Sequence, residues 1–147
     1  MKRYVFIAAL LIFAHINYEA PCYAEISDKP QDTKELMYQD MLMLFLLPHI
    51  NKKIDEIYSD ILTVPPVVYP YFVHVVDAKR TEGFRGYRFQ ITLEVVPVVG
   101  PHIPVGKDRI TFDISPIHHD NVRLIGWRHM EGPSASNIPP NWRDILK

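Results

Sequence analysis

The chain has 147 residues, of which 48% are hydrophobic, so it is long enough to form one domain with a core of its own. Nucleic-acid-binding proteins usually carry an excess of basic residues that neutralises phosphates. The formal net charge of −1 provides no such excess, and we do not expect nucleic acid as a partner.

The first 24 residues have the order of a secretory signal peptide. Lys2 and Arg3 precede the apolar run YVFIAALLIFAHI (4–16), and a more polar stretch then ends in CYA (22–24). We expect cleavage after Ala24, which leaves a secreted or cell-envelope protein with no cysteine and no stable membrane span. The alternative is a retained N-terminal anchor, although the run is shorter than the roughly 20 residues that a span needs.

A helix is predicted after a polar linker at residues 25–31. Asp32 and Glu35 have the spacing of a capping box, so the helix should begin at Asp32. The segment MLMLFLL (41–47) is apolar nearly all round, which predicts burial on most sides. Pro48 should kink or break the helix. The apolar face beyond it consists of Ile50, Ile54, Ile57 and Ile61.

Four later segments have the residue pattern of β-strands: 67–80, 88–96, 109–115 and 121–130. Apolar and polar residues alternate in the second and third, and the alternation slips at Gly126 in the fourth, which indicates a bulge. Turn residues separate the segments. The sequence therefore predicts an α+β domain at residues 32–130, with the kinked helix packed on a four-stranded antiparallel meander, and a proline-rich tail at 131–147. Cystatin-like and NTF2-like folds share this order of elements.

Two motifs in this domain resemble a known family. They are DMLMLFLLPHINKKIDEIY (40–58) and LEVVPVVGPHIPVGKDRITF (93–112), followed by an aromatic strand. Over roughly residues 32–130 the chain resembles a small secreted family of spore-forming Gram-positive bacteria, catalogued as a domain of unknown function. The resemblance implies a secreted or envelope location, and it implies no activity and no catalytic residues.

The predicted meander limits which histidines can act together. His102 lies between the second and third strands, whereas His118 and His119 lie between the third and fourth, at the opposite end of the sheet. A strand of about seven residues separates these ends by roughly 20 Å, so His102 and His118 cannot share a metal ion within one subunit. His118, His119 and Asp120 could still provide two or three metal ligands, or they could form a solvated polar turn.

The segment GPHIPVG (100–106) predicts a rigid turn, because its prolines restrict the backbone and its glycines permit unusual angles. Substitution of Gly106 by valine should therefore damage folding. His102 could bind a ligand at this end of the sheet, with His129 or Glu131 nearby, or it could form hydrogen bonds within its own loop.

A second candidate binding surface is the basic and aromatic stretch AKRTEGFRGYRF (78–89). Arg80, Arg85 and Arg88 could contact anionic envelope polymers or a protein partner, since guanidinium groups bind carboxylates and phosphates in a fork. An ordinary charged hairpin is the alternative.

No catalytic signature is present in the sequence, which favours a non-catalytic protein without a cofactor. We expect a secreted or envelope domain that binds a protein or an envelope component. The alternative is a metal-binding protein or metal-dependent hydrolase that uses His118, His119 and Asp120. A third hypothesis, a secreted peptidase inhibitor, derives only from the cystatin-like order of elements.

Overall fold

The computed structural model describes residues 32–147. The predicted signal peptide, the linker and Cys22 lie outside the described residues. One helix, α1, spans Lys34–Tyr58. The strands are β1 (Val73–Arg80), β2 (Phe89–Val95), β3 (Val98–Val99), β4 (Ile103–Pro104), β5 (Lys107–Ile114) and β6 (Val122–Glu131). No helix in the described part of the chain is long and apolar enough to cross a membrane.

The predicted α+β architecture is confirmed. Strands β1, β2, β5 and β6 form an antiparallel sheet in that order, and α1 packs on one face of it. Strands β2 and β5 pair without interruption from Phe89–Ile114 at one end to Val95–Asp108 at the other. Alternate side chains of these two strands therefore point into the core, while their neighbours point to the other, outer face. The core side chains of the sheet include Ile91, Leu93, Val95, Ile110 and Phe112.

The helix begins one residue later than predicted. The N-cap is Thr33, whose hydroxyl accepts a hydrogen bond from the backbone N–H of Leu36 at 3.1 Å, and not Asp32. Pro48 lies inside the helix and does not end it. Proline removes the bond to the carbonyl of Leu44, and both residues are exposed, so water can satisfy that carbonyl. The side chains that α1 buries against the sheet are Met43, Leu46, Ile50, Ile54 and Tyr58.

The predicted burial of the apolar segment 41–47 is wrong for most of its residues. Only Met43 and Leu46 are buried, whereas Phe45 is 73% exposed and Leu44 is 60% exposed. A helix of 25 residues is about 37 Å long, and strands of eight residues span about 26 Å. The helix is thus longer than the strands that it covers, and its residues 34–42 are all exposed.

Both edge strands contain bulges. The extra residue is Val76 in β1, while β6 has Ile125 beside Gly126 and Met130 near its end. The bulge predicted at Gly126 is confirmed. Bulges increase the local twist of a strand and disturb its free edge, which opposes pairing with other chains.

Three features lie outside the predicted plan. Residues Pro70–Phe72 form a short 3-10 helix, so the first predicted strand begins only at Val73. Strands β3 and β4 form a small hairpin within the connection between β2 and β5. The C-terminal tail also contributes to the core, since Ile138 and Ile145 are buried and a 3-10 helix spans Pro140–Ile145.

Candidate functional site

The C-terminal tail packs against the loop that contains His102. Gly100 has a φ of 50° and His102 a φ of 65°, both in the left-handed region, and the N–H of His102 donates to the carbonyl of Gly100 at 2.9 Å. The ring of Trp142 lies so close to Gly100 that a Cβ atom at this position would overlap it. Glycine is therefore required there for conformation and for space.

His102 joins an exposed aromatic group, which we call the aromatic surface: Tyr69, Tyr71, Phe72 and His102. The rings of Tyr69 and Tyr71 are stacked, with centroids 5.6 Å apart and an interplanar angle of 5°. His102 meets the Tyr69 ring edge-on at 5.0 Å, and its Nε2 lies 3.1 Å from the hydroxyl of Tyr71. Tyr71 is 66% exposed. The aromatic surface therefore offers ring faces and polar groups to solvent in a fixed arrangement.

His102 has an energetically unfavourable backbone conformation, and its contacts with neighbouring residues stabilise it. A residue other than glycine with positive φ is uncommon, and such strain is found preferentially at functional sites. The predicted approach of His102 to His129 does not occur within the structure described here. His102 contacts residues that precede β1, at one edge of the sheet, whereas His129 belongs to β6, at the other edge.

At the opposite end of the sheet, Asp113 contacts three polar side chains: Arg88 just before β2, His118 after β5 and Arg123 at the start of β6. We call this group the Asp113 cluster: Asp113, Arg88, His118 and Arg123. The carboxylate of Asp113 accepts bonds from Nε and Nη2 of Arg88 at 3.1 and 2.9 Å. It also lies 2.8 Å from Nε2 of His118 and 3.3 Å from Nη2 of Arg123. The hydrogen bonds from Arg88 and His118 hold the pKa of Asp113 well below its usual range, despite the opposing effect of desolvation.

These contacts separate the residues of the predicted metal group. His118 is nearly buried and directs Nε2 to Asp113 on the neighbouring strand. His119 and Asp120 are exposed and pair with each other at 2.9 Å. Within residues 32–147, no three His, Cys, Asp or Glu side chains are placed to hold one metal ion. The metal site stays a prediction, and this arrangement does not favour it.

The three arginines of the predicted basic stretch are likewise not arranged as one site. Arg80 donates to the carbonyl of Gly86, and its guanidinium lies 4.5 Å from the centre of the Phe89 ring. Arg88 points to the other face of the sheet, where it binds Asp113. Arg85 is exposed, with a φ of 61° in the turn between them. Arg88 therefore has a structural partner within the chain.

The sequence interpretation missed a polar group around a buried carboxylate, which we call the Asp108 cluster: Asp108, Tyr58, Trp127 and His129. Asp108 is 0% exposed. Its carboxylate accepts from the hydroxyl of Tyr58 at 2.8 Å and from Nε1 of Trp127 at 3.2 Å, and it lies 2.7 Å from Nδ1 of His129. Burial, followed by the charge and the hydrogen bond of Asp108, raises the pKa of Tyr58 far above its ordinary value.

A signal for this cluster was available in the alternation of β5. Asp108 has the same parity as Ile110 and Phe112, which places a carboxylate on the core side of the strand. Such a charge needs hydrogen-bond donors from the elements packed against it. Within the described residues, His129 forms no hydrogen bond to a serine or threonine hydroxyl. The cluster is thus arranged to satisfy a buried charge, and it does not present an assembled pair of nucleophile and base.

Comparison with the curated proteins and with the solved structures finds no match. A family model, described as "Protein of unknown function (DUF3888)", matches residues 38–131. This range extends from the second turn of α1 to the last residue of β6, so it includes the whole sheet and the loop of His102. Because the match covers more than half of the sequence, the chain belongs to the DUF3888 family of proteins of unknown function.

Proposed function

We propose that this protein is a non-catalytic domain that works outside the cytoplasm and binds a protein or an envelope component through the aromatic surface. The observation that carries the proposal is the exposed stack of Tyr69 and Tyr71, held against His102. The signal-like order of residues 1–24 supports the location. The resemblance of the sequence to a secreted family of Gram-positive bacteria supports the same location.

The chemistry of the aromatic surface suits recognition. Tyrosine contributes a large contact area and a polar tip while few torsion angles are fixed on binding, and it is enriched among the residues that contribute most to interfaces. The ring faces can pack on apolar faces of a ligand, and the free polar atoms can form hydrogen bonds to it. Because Trp142 already packs against the loop, binding would cost little further conformational entropy.

Two other hypotheses have less support. The peptidase-inhibitor hypothesis rests on the order of elements alone, and fold does not imply function. The metal-dependent alternative would need His118 to leave Asp113, to which it is bound at 2.8 Å. Neither has a contact in the described residues that favours it.

The test is binding of the purified protein to isolated cell envelopes of the source organism, measured by co-sedimentation. We expect Tyr71→Ala and His102→Ala each to weaken binding about fivefold or more, which corresponds to roughly 1 kcal/mol per interface side chain. The matched control is Tyr87→Ala, because Tyr87 and Tyr71 are each 66% exposed but Tyr87 lies at the other end of the sheet. Equal binding by all variants would overturn the proposal, as would retention of the protein in the cytoplasm.

A further inference from the structure

The outer face of the sheet, opposite to α1, carries side chains that the aromatic surface does not use. From β2 and β5 they are polar: Gln90, Thr92, Glu94, Arg109, Thr111 and Asp113. Near the centre of this face, the hydroxyls of Thr92 and Thr111 lie 3.2 Å apart. Toward the start of β5 this face carries Lys107, Arg109 and Arg128, and toward its end Arg88 and Arg123 surround Asp113.

Two arginines face each other directly in this region. Arg109 of β5 and Arg128 of β6 are register partners, so their Cβ atoms are about 5 Å apart on the same face. Like charges directly opposite in an antiparallel pair destabilise the sheet. The chain therefore maintains an unfavourable pair where almost any neutral residue would relieve the repulsion.

The neighbouring carboxylate does not compensate for this charge. Glu94 accepts from NH2 of Arg109 at 3.1 Å and also binds Lys107 at 3.3 Å, so one anion serves two cations. Within residues 32–147, Arg128 has no ion pair, and Glu131, opposite Lys107, has none either. The hydrogen bonds from Arg109 and Lys107 lower the pKa of Glu94, which keeps it ionised. Three cations and two anions, Glu94 and Glu131, leave an excess of one positive charge in this network.

Arg109 also has a donor that the described residues leave unsatisfied. Its Nε is buried and has no hydrogen-bond partner among them. An unsatisfied buried donor is costly, and native structures contain few. A like-charge pair and an unsatisfied donor at one place are both unfavourable for stability. Proteins tend to retain such unfavourable features at functional sites.

The surface beside the two arginines is open. Along the strands, Thr111 pairs with Gly126, and a Cβ atom on Gly126 would meet only Thr111, at 3.5 Å, which is ordinary contact. Neither the backbone angles nor close packing requires glycine at position 126. Its effect is to leave a low floor of Thr111 and Gly126, with Arg109 and Arg128 along one side.

We infer that this floor and its two arginines form a phosphate-binding site on the outer face of the sheet. A phosphate monoester carries a charge of about −1.5 to −2 and three acceptor oxygens at neutral pH, so it would be attracted to the two facing guanidinium groups. Guanidinium groups present several donors in a planar fork that fits phosphate oxygens. The threonine hydroxyl on the floor provides a further donor. This site is independent of the aromatic surface.

The experiment is titration of the purified protein at constant ionic strength with three probes: inorganic phosphate, glycerol 3-phosphate and acetate. Binding is measured by NMR chemical shifts. We expect both phosphates to bind more tightly than acetate. Arg128→Gln should weaken phosphate binding about tenfold, since it removes one charge-assisted partner. The control is Arg143→Gln, which removes an exposed arginine of the tail.

A second variant separates the site from stability. Gly126→Thr keeps every charge, and the space above Gly126 accepts a Cβ atom, so the fold should persist while the floor is filled. We expect this variant to lose phosphate binding without a lower melting temperature. Dimethyl phosphate distinguishes the source of the ligand: equal binding would identify a phosphodiester polymer, and weaker binding a monoester. The inference is overturned if acetate competes equally, or if Arg128→Gln and Gly126→Thr bind phosphate as the unmodified protein does.

Discussion

The hydroxyl of Tyr58 donates a hydrogen bond of 2.8 Å to Oδ2 of Asp108, and both residues are completely buried. This bond joins the last turn of α1 to the start of β5, at one end of the sheet. It links the helix to the sheet through a buried polar contact in addition to the apolar ones. A buried carboxylate is tolerated here because three side chains approach it at hydrogen-bond distance.

We therefore expect Tyr58→Phe to lower the free energy of unfolding by about 1–3 kcal/mol, because it removes one donor and leaves the carboxylate of Asp108 less satisfied. Urea denaturation measures the change. The control is Tyr38→Phe, since Tyr38 is exposed on α1 and should lose nothing measurable. Equal stability of the two variants would contradict the role of this hydrogen bond.

The Asp113 cluster should make the protein sensitive to acid. The folded pKa of Asp113 is depressed below its ordinary value of 3.8, chiefly by the hydrogen bond from Arg88. A depressed folded pKa stabilises the fold above the unfolded pKa, and this contribution is lost as the pH falls toward the folded pKa. Melting temperatures between about pH 7 and about pH 2 should therefore fall more steeply in the unmodified protein than in Asp113→Asn.

At neutral pH the Asp113→Asn variant should be the less stable of the two, because it has lost the charge that Arg88 and His118 bind. Asp77→Asn is the control, since Asp77 is exposed and has no ion pair within residues 32–147. Parallel curves of melting temperature against pH for Asp113→Asn and the unmodified protein would show that the cluster does not determine acid stability.

Gly106→Ala should destabilise the protein by about 3 kcal/mol, because its Cβ atom would overlap the hydroxyl of Tyr58 and come within 2.5 Å of the carbonyl oxygen of Glu131. The expected damage from a valine at this position thus has a different cause from the one predicted. Gly106 is not among the residues with positive φ, and close approach alone excludes a side chain. Gly83→Ala is the matched control, since nothing lies within 4 Å of its Cβ position. Equal melting temperatures would exclude this steric requirement.

Regular alternation made most of the sheet predictable. In Phe89–Val95 and Lys107–Ile114, residues with a period of two alternate between core and outer face, and the strand order follows from short connections. The slip at Gly126 identified the bulge for the same reason. The sequence was a poorer guide where the same composition is compatible with several structures. The apolar residues from Leu36 to Phe45 fit a buried helix by composition, yet most are exposed because the strands are shorter than the helix.

The sequence identified several residues of the candidate sites, but it did not predict which of them contact each other. His102 was identified by its loop, but its partners Tyr69 and Tyr71 are about 30 residues earlier in the chain. His118 was identified by its turn, and the prediction did not include its contact with Asp113 because side-chain direction depends on the turn that the backbone adopts. Long-range side-chain contacts of this kind are not determined by local spacing. Only Asp108, on the core side of β5, could have been recognised from alternation alone.

The packing of Trp142 against Gly100 bears on where the folded domain of this chain ends. The family match ends at residue 131, but Ile138 and Ile145 lie in the same core as the sheet, and Trp142 supports the loop of His102. A fragment cut at residue 131 would expose those core contacts and remove the ring that packs against the loop of His102. The core of this chain therefore extends beyond the residues that the family model matches.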